Sequence, residues 1–265
     1  METPRTRLLL GLWSAIVILF LWFPLALIFV YAFNRSNIQS WPIQHYTTRW
    51  FHVAWHTQEV RDAILLSVKA GLFATTAALV LGSAAAFAIA RFRFFGRESV
   101  SFVLVLPIAL PGIITGMALN SFFVFWKVNF GLWTIVVGHA TFCVVVVYNN
   151  VLARLRRVPG SLSEASMDLG AGPARTWWLV TLPAISTALI SGALLAFALS
   201  FDEVIVTTFT AGAQNTLPLW IFGNIRLGQT LPETNVVVLL VLAATILPVV
   251  LAQRLTRESG ILRTE

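Results

Sequence analysis

Two adjacent carboxylates, Asp202 and Glu203, interrupt one of the most apolar stretches of the chain. A charged side chain at membrane depth is costly unless it is paired, hydrated or facing a pathway, so such residues are functional candidates. Counting from Ser186, Asp202 lies about 24 Å further along a helix, which places the pair toward one end of its span. Adjacent helical positions point about 100° apart, so we expect the two side chains to have different roles.

We interpret at least one of these acids as lining a passage that attracts a cationic substrate. Two structural interpretations stay open: an ion pair with a neighbouring Arg or Lys, and a cap on the outer end of the helix. The sequence does not decide between the passage and the structural roles.

A second candidate for the passage is the stretch 106–112, which contains Pro107, Pro111 and Gly112. Prolines inside a span leave backbone carbonyls without partners, and neighbouring helices or a water-filled path must then satisfy them. We therefore predict a kinked helix that lines the pathway. The spacing of Gly112 and Gly116 also suits a helix-packing face, and the two roles can coexist.

A polar island of about thirty residues lies between two apolar spans and carries the signals of a folded element. Ser161 and Glu164 have capping-box spacing, Gly170 suits a left-handed helix end, and Pro173 suits the first turn of a second helix. The sequence predicts a helix, a tight turn and a second helix outside the membrane. The apolar face of the first helix would be formed by Leu162, Ala165 and Leu169.

The composition is that of an integral membrane protein. Of 265 residues, 58% are hydrophobic and 11% charged, against about 25% charged in a soluble domain. The single cysteine, Cys143, excludes a disulfide within the chain, and we expect it to pack in the core. His52 and His56, with His45 nearby, lack carboxylate or cysteine partners at suitable spacing, so we predict solvated histidines and no metal site.

Hydropathy predicts an all-α, polytopic fold with six transmembrane helices. The long polar island falls between the fourth and fifth helices, and residues 34–62 form an aromatic segment at the far membrane surface. The six spans cover about 8–33, 64–90, 100–126, 132–152, 183–209 and 235–253.

The placement of basic residues orients these spans. Six spans put both termini and the polar island on one side, and that side carries twelve of the eighteen Lys and Arg residues. The positive-inside rule assigns that side to the cytoplasm. The twelve residues are Arg5, Arg7, Arg91, Arg93, Arg97, Arg154, Arg156, Arg157, Arg175, Arg254, Arg257 and Arg263.

The polar island resembles the EAA loop of ABC-importer permeases. The family pattern is Glu-Ala-Ala, three residues, Gly, nine residues, Ile, one residue, Leu-Pro. This chain departs from it at two positions, with Ser166 for the second Ala and Val180 for Ile. The matching residues are Glu164, Ala165, Gly170, Leu182 and Pro183.

The resemblance implies that the loop is a coupling loop that docks on an ATPase. The chain has no phosphate-binding Gly-x-x-x-x-Gly-Lys-Ser/Thr loop, so we expect a transport subunit and not an enzyme, with no cofactor of its own. The expected partners are two cytoplasmic ATP-binding subunits, a second permease subunit of a different chain, a periplasmic substrate-binding protein and membrane lipid, but no nucleic acid. The location would be a bacterial inner membrane.

Three domains follow from the same resemblance. A permease core of five transmembrane helices covers residues 60–253. The first transmembrane helix and a periplasmic connection precede it over residues 1–59, and a cytoplasmic tail follows over residues 254–265.

Longer stretches resemble the spermidine/putrescine branch of these permeases. They are residues 106–116, 138–142, 164–170, 199–212 and 217–219, and they imply a polyamine substrate. One alternative is an ABC permease for another small cationic or organic solute. Another is a stand-alone, ion-coupled secondary transporter, but no inverted repeat is visible and the spacing of the loop would be unexplained. A membrane scaffold would leave the broken third span and the acidic pair unexplained.

Overall fold

The computed structural model describes the backbone of residues 4–228 and 230–261 and the side chains of 4–228 and 230–246. The predicted tail arginines, Arg254, Arg257 and Arg263, lie outside the described side chains. The described chain is helical, which confirms the all-α class, with one isolated bridge between Asn34 and Tyr46. The elements are α1 (Pro4–Ala32), α2 (Arg49–His56), α3 (Gln58–Arg91), α4 (Arg97–Ala109), α5 (Gly112–Phe125), α6 (Leu132–Leu155), α7 (Ser161–Asp168), α8 (Pro173–Thr176), a π-helical segment (Trp177–Thr181), α9 (Leu182–Asp202), α10 (Ile205–Thr210), α11 (Leu217–Leu227) and α12 (Leu231–Ile261).

Within these described residues, four helices are long and apolar enough to cross a membrane. They are α1, α3, α6 and the continuous helix Pro173–Asp202. The pair α4 and α5 would form a fifth span if its members cross together, although they are bent by 103°. The described apolar part of α12, Leu231–Ile246, is shorter. These helices make the chain a multi-pass membrane protein.

The chain divides into two compact units, and the larger covers residues 62–220. Its core lies where α3, α6 and α9 meet. Small residues recur along α3 at every fourth position, and all of them are buried: Ala70, Ala74, Ala78, Gly82 and Ala86. A Cβ on Gly82 would lie 2.8 Å from the backbone oxygen of Val144, so only glycine permits this approach of α3 to α6.

The predicted packing role of Cys143 agrees with its position in this core. Its side chain is fully buried, and its Sγ contacts the Ala196 carbonyl oxygen at 3.3 Å, between α6 and α9. A thiol in such surroundings behaves as a small apolar side chain.

The smaller unit comprises residues 1–61 and 221–265. In it α12 packs against α1 and α2. The indole Nε1 of Trp50 donates to the Asn34 carbonyl at 2.8 Å, and the Thr57 hydroxyl donates to Glu233 Oε1 at 2.7 Å. These hydrogen bonds satisfy polar groups that would lower the stability of the fold if they were buried without partners.

Two regions differ in detail from the sequence-based expectation. Helix α9 begins at Leu182, next to the predicted start of the fifth span at Pro183, but the helix is continuous from Pro173. Proline has no N–H, and the π-helical segment just before α9 absorbs the interruption, with Leu182 N bonding to Trp177 O. Between the fifth and sixth predicted spans, Leu217–Leu227 form helix α11, since Pro218 is tolerated in the first helical turn.

Candidate functional site

The helical conformation is interrupted between α9 and α10, and both acids lie at this break in the helix. Asp202 is the last residue of α9 and its side chain is exposed, whereas Glu203 has extended backbone (φ −74°, ψ 117°) and is half-buried. Oε1 of Glu203 accepts a hydrogen bond from Val206 N at 2.9 Å, so this acid caps the short helix α10. The prediction of one span continuing to Phe209 is therefore wrong.

A buried histidine, His139, holds this junction together. Its Nδ1 lies 2.7 Å from Ser200 Oγ on α9, and its Nε2 lies 2.8 Å from Thr207 Oγ1 on α10. Thr207 donates its only hydroxyl hydrogen to the Glu203 carbonyl oxygen, at 2.7 Å. Thr207 must therefore accept from Nε2–H, and Nδ1 accepts from the Ser200 hydroxyl. One ring on α6 thus positions the end of α9 and the start of α10.

His139 was not predicted to be a functional residue, although its position within an apolar span could have indicated it. An ionisable side chain in an apolar span is a functional candidate, and its hydroxyl partners, Ser200 and Thr207, flank the acidic pair in sequence. What the sequence could not supply was their proximity, because the histidine lies some sixty residues earlier.

Helix α10 lies in a cradle of glycines from α5 and α6. At each glycine the missing side chain leaves room for a residue of α10. A Cβ on Gly116 would lie 2.5 Å from the ring of Phe209, and one on Gly138 would lie 3.1 Å from Val206. Gly112 has a looser fit, with a Cβ 3.5 Å from Ile205. The structure therefore contains the helix-packing face that the spacing of Gly112 and Gly116 predicts.

Side chains also hold the carboxyl end of α10. Asn120 Nδ2 donates to the Phe209 carbonyl at 2.7 Å, and the Thr134 hydroxyl lies 2.7 Å from the Thr210 carbonyl. The last carbonyls of a helix lack intrahelical partners, so these two bonds satisfy groups that would be costly to leave unpaired in a membrane.

The predicted kink in the third span is a full break. Helix α4 ends at Ala109, and Leu110 and Pro111 are extended, with ψ of 140° and 132°. Pro107 is half-buried inside α4, and Pro111 is exposed directly before α5. Because Gly112 contacts Ile205, the break before α5 lies beside the break before α10. The structure thus places Pro111 and Gly112 next to the break that contains Asp202 and Glu203.

The polar island folds as helix, turn and helix, as predicted. Helix α7 ends in a Schellman motif, in which Gly170 N bonds to Met167 O at 2.8 Å and Ala171 N bonds to Ser166 O at 3.1 Å. Gly170 has φ of +86°, a conformation that glycine adopts without strain. Pro173 occupies the first turn of α8.

The predicted capping box is absent. Gly160, with helical backbone (φ −61°, ψ −31°), is the residue before α7, so Ser161 lies already inside the helix. No side chain caps α7, and the exposed Glu164 makes no side-chain hydrogen bond or ion pair in the described part of the chain. The carboxylate is therefore available to another molecule.

The island presents apolar side chains on its surface. Leu162, Met167 and Leu169 are exposed, Leu169 at 90%, and Ala165 is exposed as well. A hydroxyl pair between Ser166 and Thr176, at 3.0 Å, joins α7 to α8. An exposed apolar surface beside an unpaired acid is typical of a docking surface for another protein.

The remaining predicted residues of the loop, Leu182 and Pro183, begin α9. This helix of 21 residues, about 30 Å long, separates them from Asp202. The loop and the acidic junction are thus separate sites that share one helix. His52 and His56 are exposed and stacked at 4.0 Å, and the described residues contain no group of three metal-ligating side chains.

The overall fold matches that of a chain in a solved ABC transporter. A bacterial ABC transporter involved in the import of the acidic polysaccharide alginate has a chain that superimposes with a TM-score of 0.69. The match covers 97% of this chain and 98% of that one, at 16% identity, and it establishes the fold.

Residues 78–257 match the family described as binding-protein-dependent transport system inner membrane component. The chain belongs to this family, which confirms the resemblance to ABC-importer permeases and the assignment to the inner membrane.

Two relatives agree with the resemblance to the polyamine branch. The putrescine transport system permease protein of Escherichia coli K12 is 36% identical over 88% of this chain and 86% of its own length. The spermidine/putrescine transport system permease protein of Haemophilus influenzae is 30% identical over 92% of this chain and 95% of its own.

Proposed function

We propose that this chain is the permease subunit of an ATP-driven importer that carries polyamines, putrescine or spermidine, into the cytoplasm. The observation that carries the proposal is the 36% identity with a putrescine permease over 88% of the chain. The exposed acid at the break between α9 and α10 supports it, because a carboxylate attracts an ammonium group in a medium of low dielectric.

The chain would cross the membrane six times, with both termini and the coupling loop in the cytoplasm. Helices α4 and α5 would together make one crossing, and α12 would make the last. The excess of Lys and Arg on one side supports this orientation. The permease core would cover residues 60–253, with residues 1–59 as an added helix and connection and 254–265 as the tail.

Two ATP-binding subunits, a second and different permease chain and a periplasmic binding protein would complete the transporter. The coupling helix would be α7, since it combines exposed apolar side chains with the unpaired Glu164. Its movement would travel through the continuous helix Pro173–Asp202, because a helix transmits displacement along its axis better than a loop does.

At the far end of that helix, Asp202 would face the passage while Glu203 holds α10 in place. Pro107, Pro111 and Gly112 would line the passage beside them, where the two helix breaks meet. Backbone groups freed at such breaks are tolerated in a membrane only where they line a cavity or are buried in protein.

The direct test is transport by the reconstituted complex. Proteoliposomes with this chain, its partner permease and the ATP-binding subunits should accumulate radiolabelled putrescine when ATP and the binding protein are supplied. Vesicles containing this chain alone should not. Uptake by the chain alone, driven by an ion gradient, would instead indicate a secondary transporter, and accumulation of a different cation without competition by putrescine or spermidine would refute the polyamine assignment.

A further inference from the structure

A basic groove opens at the end of the helices from which the coupling loop projects. It has a volume of about 760 Å³, within the range of about 300–1,000 Å³ typical of ligand sites. It lies between the turn that joins α3 to α4 and the residues that follow α6. Its charged lining consists of Arg93, Arg97 and Arg156, with Glu98 as the only acid.

The three guanidinium groups lack partners. Within the described part of the chain, Arg93, Arg97 and Arg156 make no ion pair and no side-chain hydrogen bond. A guanidinium has five N–H donors, and three such groups against one carboxylate leave a net positive charge in the groove. The occupant that this arrangement favours is an anion with several acceptor oxygens.

The groove also contains the amino end of α4. This helix of 13 residues follows Gly96 and has no side-chain cap. Gly96, Arg97, Glu98 and Ser99, at this end of the helix, all line the groove, so the positive end of the helix dipole adds to the charge of the arginines. Phosphate is the group that such a helix end and a cluster of arginines bind best.

Exposed phenylalanines indicate that the anion carries apolar chains. Phe94 and Phe95 line the groove; Phe95, beside Arg97, is fully exposed and Phe94 is exposed as well. Phenylalanines next to cations at the end of a membrane helix are suited to the boundary between acyl chains and lipid head groups. A soluble anion would satisfy the arginines and leave these rings in water, whereas a phospholipid satisfies both.

We infer that this groove binds an anionic phospholipid, with its phosphodiester between Arg93, Arg97 and Arg156 and its acyl chains against the phenylalanines. Basic pockets between membrane helices on the cytoplasmic side are suited to such head groups. The site lies beside the root of the coupling loop: Arg156 precedes α7 by five residues, and a Cβ on Gly160 would lie 3.5 Å from Nη1 of Arg91. The bound lipid therefore contacts the segment from which α7 projects.

Native mass spectrometry of the purified full-length chain tests this inference. Samples are equilibrated with phosphatidylglycerol or with phosphatidylcholine, and retained lipid is counted. The triple variant R93Q/R97Q/R156Q should retain phosphatidylglycerol about tenfold more weakly than the native chain. The matched control R5Q/R7Q/R157Q removes the same charge outside the groove and should retain it normally. Size-exclusion profiles check that all variants are folded.

A reciprocal variant keeps the test independent of any folding defect. Glu98→Gln removes the one acid from the groove and should raise phosphatidylglycerol retention. Equal retention by the triple variant and its control would overturn the inference, as would no preference over phosphatidylcholine. Displacement of the lipid by millimolar glycerophosphate would identify a soluble anion as the ligand, and its loss when the ATP-binding subunits assemble would identify a protein interface. None of these outcomes depends on polyamine transport.

Discussion

Two polar segments interrupt this apolar chain: the junction between α9 and α10, and the coupling loop. They differ in whether their polar groups have hydrogen-bond partners within the chain. At the junction, the Glu203 carboxylate, the His139 ring and the ends of α10 all have partners within the chain. On the loop, Glu164 has no partner among the residues whose side chains are described, and Leu169 is 90% exposed. The junction is therefore preorganised within the chain, whereas the loop leaves a carboxylate and apolar side chains exposed, as the proposed docking of an ATP-binding subunit requires.

This difference predicts opposite consequences of substitution. Changes to the buried groups of the junction should lower the stability of the chain itself, because they leave these groups unpaired or overpacked. Changes on the loop should leave that stability intact and lower transport by the assembled complex.

Among changes on the loop, the largest effect on transport is expected at Gly170. Valine at φ of +86° is strained by about 1–3 kcal/mol, so the turn should relax to another conformation and reorient α7. Uptake by the Gly170→Val complex should fall at least about tenfold, the factor that corresponds to a loss of about 1.4 kcal/mol in coupling. The control is Gly172→Val, since Gly172 has extended backbone, free space around a Cβ and a following proline that favours this conformation.

The thermal midpoint of the isolated chain should be the same in both variants. If Gly170→Val transported normally, or if it unfolded the isolated chain, the loop would not be the independent docking element described above.

Substitution of the glycines that pack against α10 should instead change the stability of the isolated chain. A methyl group at position 116 would lie 2.5 Å from the Phe209 ring, and such overpacking costs about 1–3 kcal/mol. Gly116→Ala should therefore lower the thermal midpoint of the purified chain. Gly112→Ala meets Ile205 only at an ordinary 3.5 Å and should change it little. Equal thermal midpoints for the Gly116→Ala and Gly112→Ala variants would show that the packing of α10 does not depend on these glycines.

Removing the His139 ring should have a similar effect. His139→Ala leaves the buried Ser200 hydroxyl without its acceptor, at a cost of about 1–3 kcal/mol, and should lower the midpoint. His56→Ala removes an exposed ring and serves as the control. An unchanged midpoint in both would mean that the histidine network does not stabilise the junction.

The smallest effect is expected for Ser166→Ala. This change removes the hydroxyl pair with Thr176, which contributes about 0.5–1.5 kcal/mol, and it restores the alanine of the EAA pattern. Transport should stay within about twofold of the native rate, since the backbone bonds of the Schellman motif do not involve the hydroxyl. A loss as large as that of Gly170→Val would assign Ser166 a direct docking role.

Much of this architecture was predictable from the sequence. Long apolar runs located the membrane helices, and Gly170 and Pro173 located the turn of the coupling loop, because these features depend on local composition and backbone freedom. The failures have equally local causes. Ser161 is not a cap because Gly160 is already helical, and the helix that contains Pro183 extends back to Pro173 because a π-helical segment accommodates the proline.

The break after Asp202 could not be predicted in the same way. No proline or glycine marks it. It is stabilised by side chains that are distant in sequence, chiefly His139 and Asn120, and by the space that glycines on α5 and α6 leave for α10. Hydrophobic periodicity records which positions are apolar, but it does not record which of them meet.

The most direct test of the account is the initial rate of ATP-driven putrescine uptake by complexes carrying Asp202→Asn or Glu203→Gln. Glutamine keeps an oxygen that can accept from Val206 N, so Glu203→Gln should transport at close to the native rate. Asp202→Asn removes the exposed charge and should lower uptake about tenfold or more, while basal ATP hydrolysis is unchanged. Normal uptake by Asp202→Asn would contradict the claim that this acid attracts the substrate in the passage.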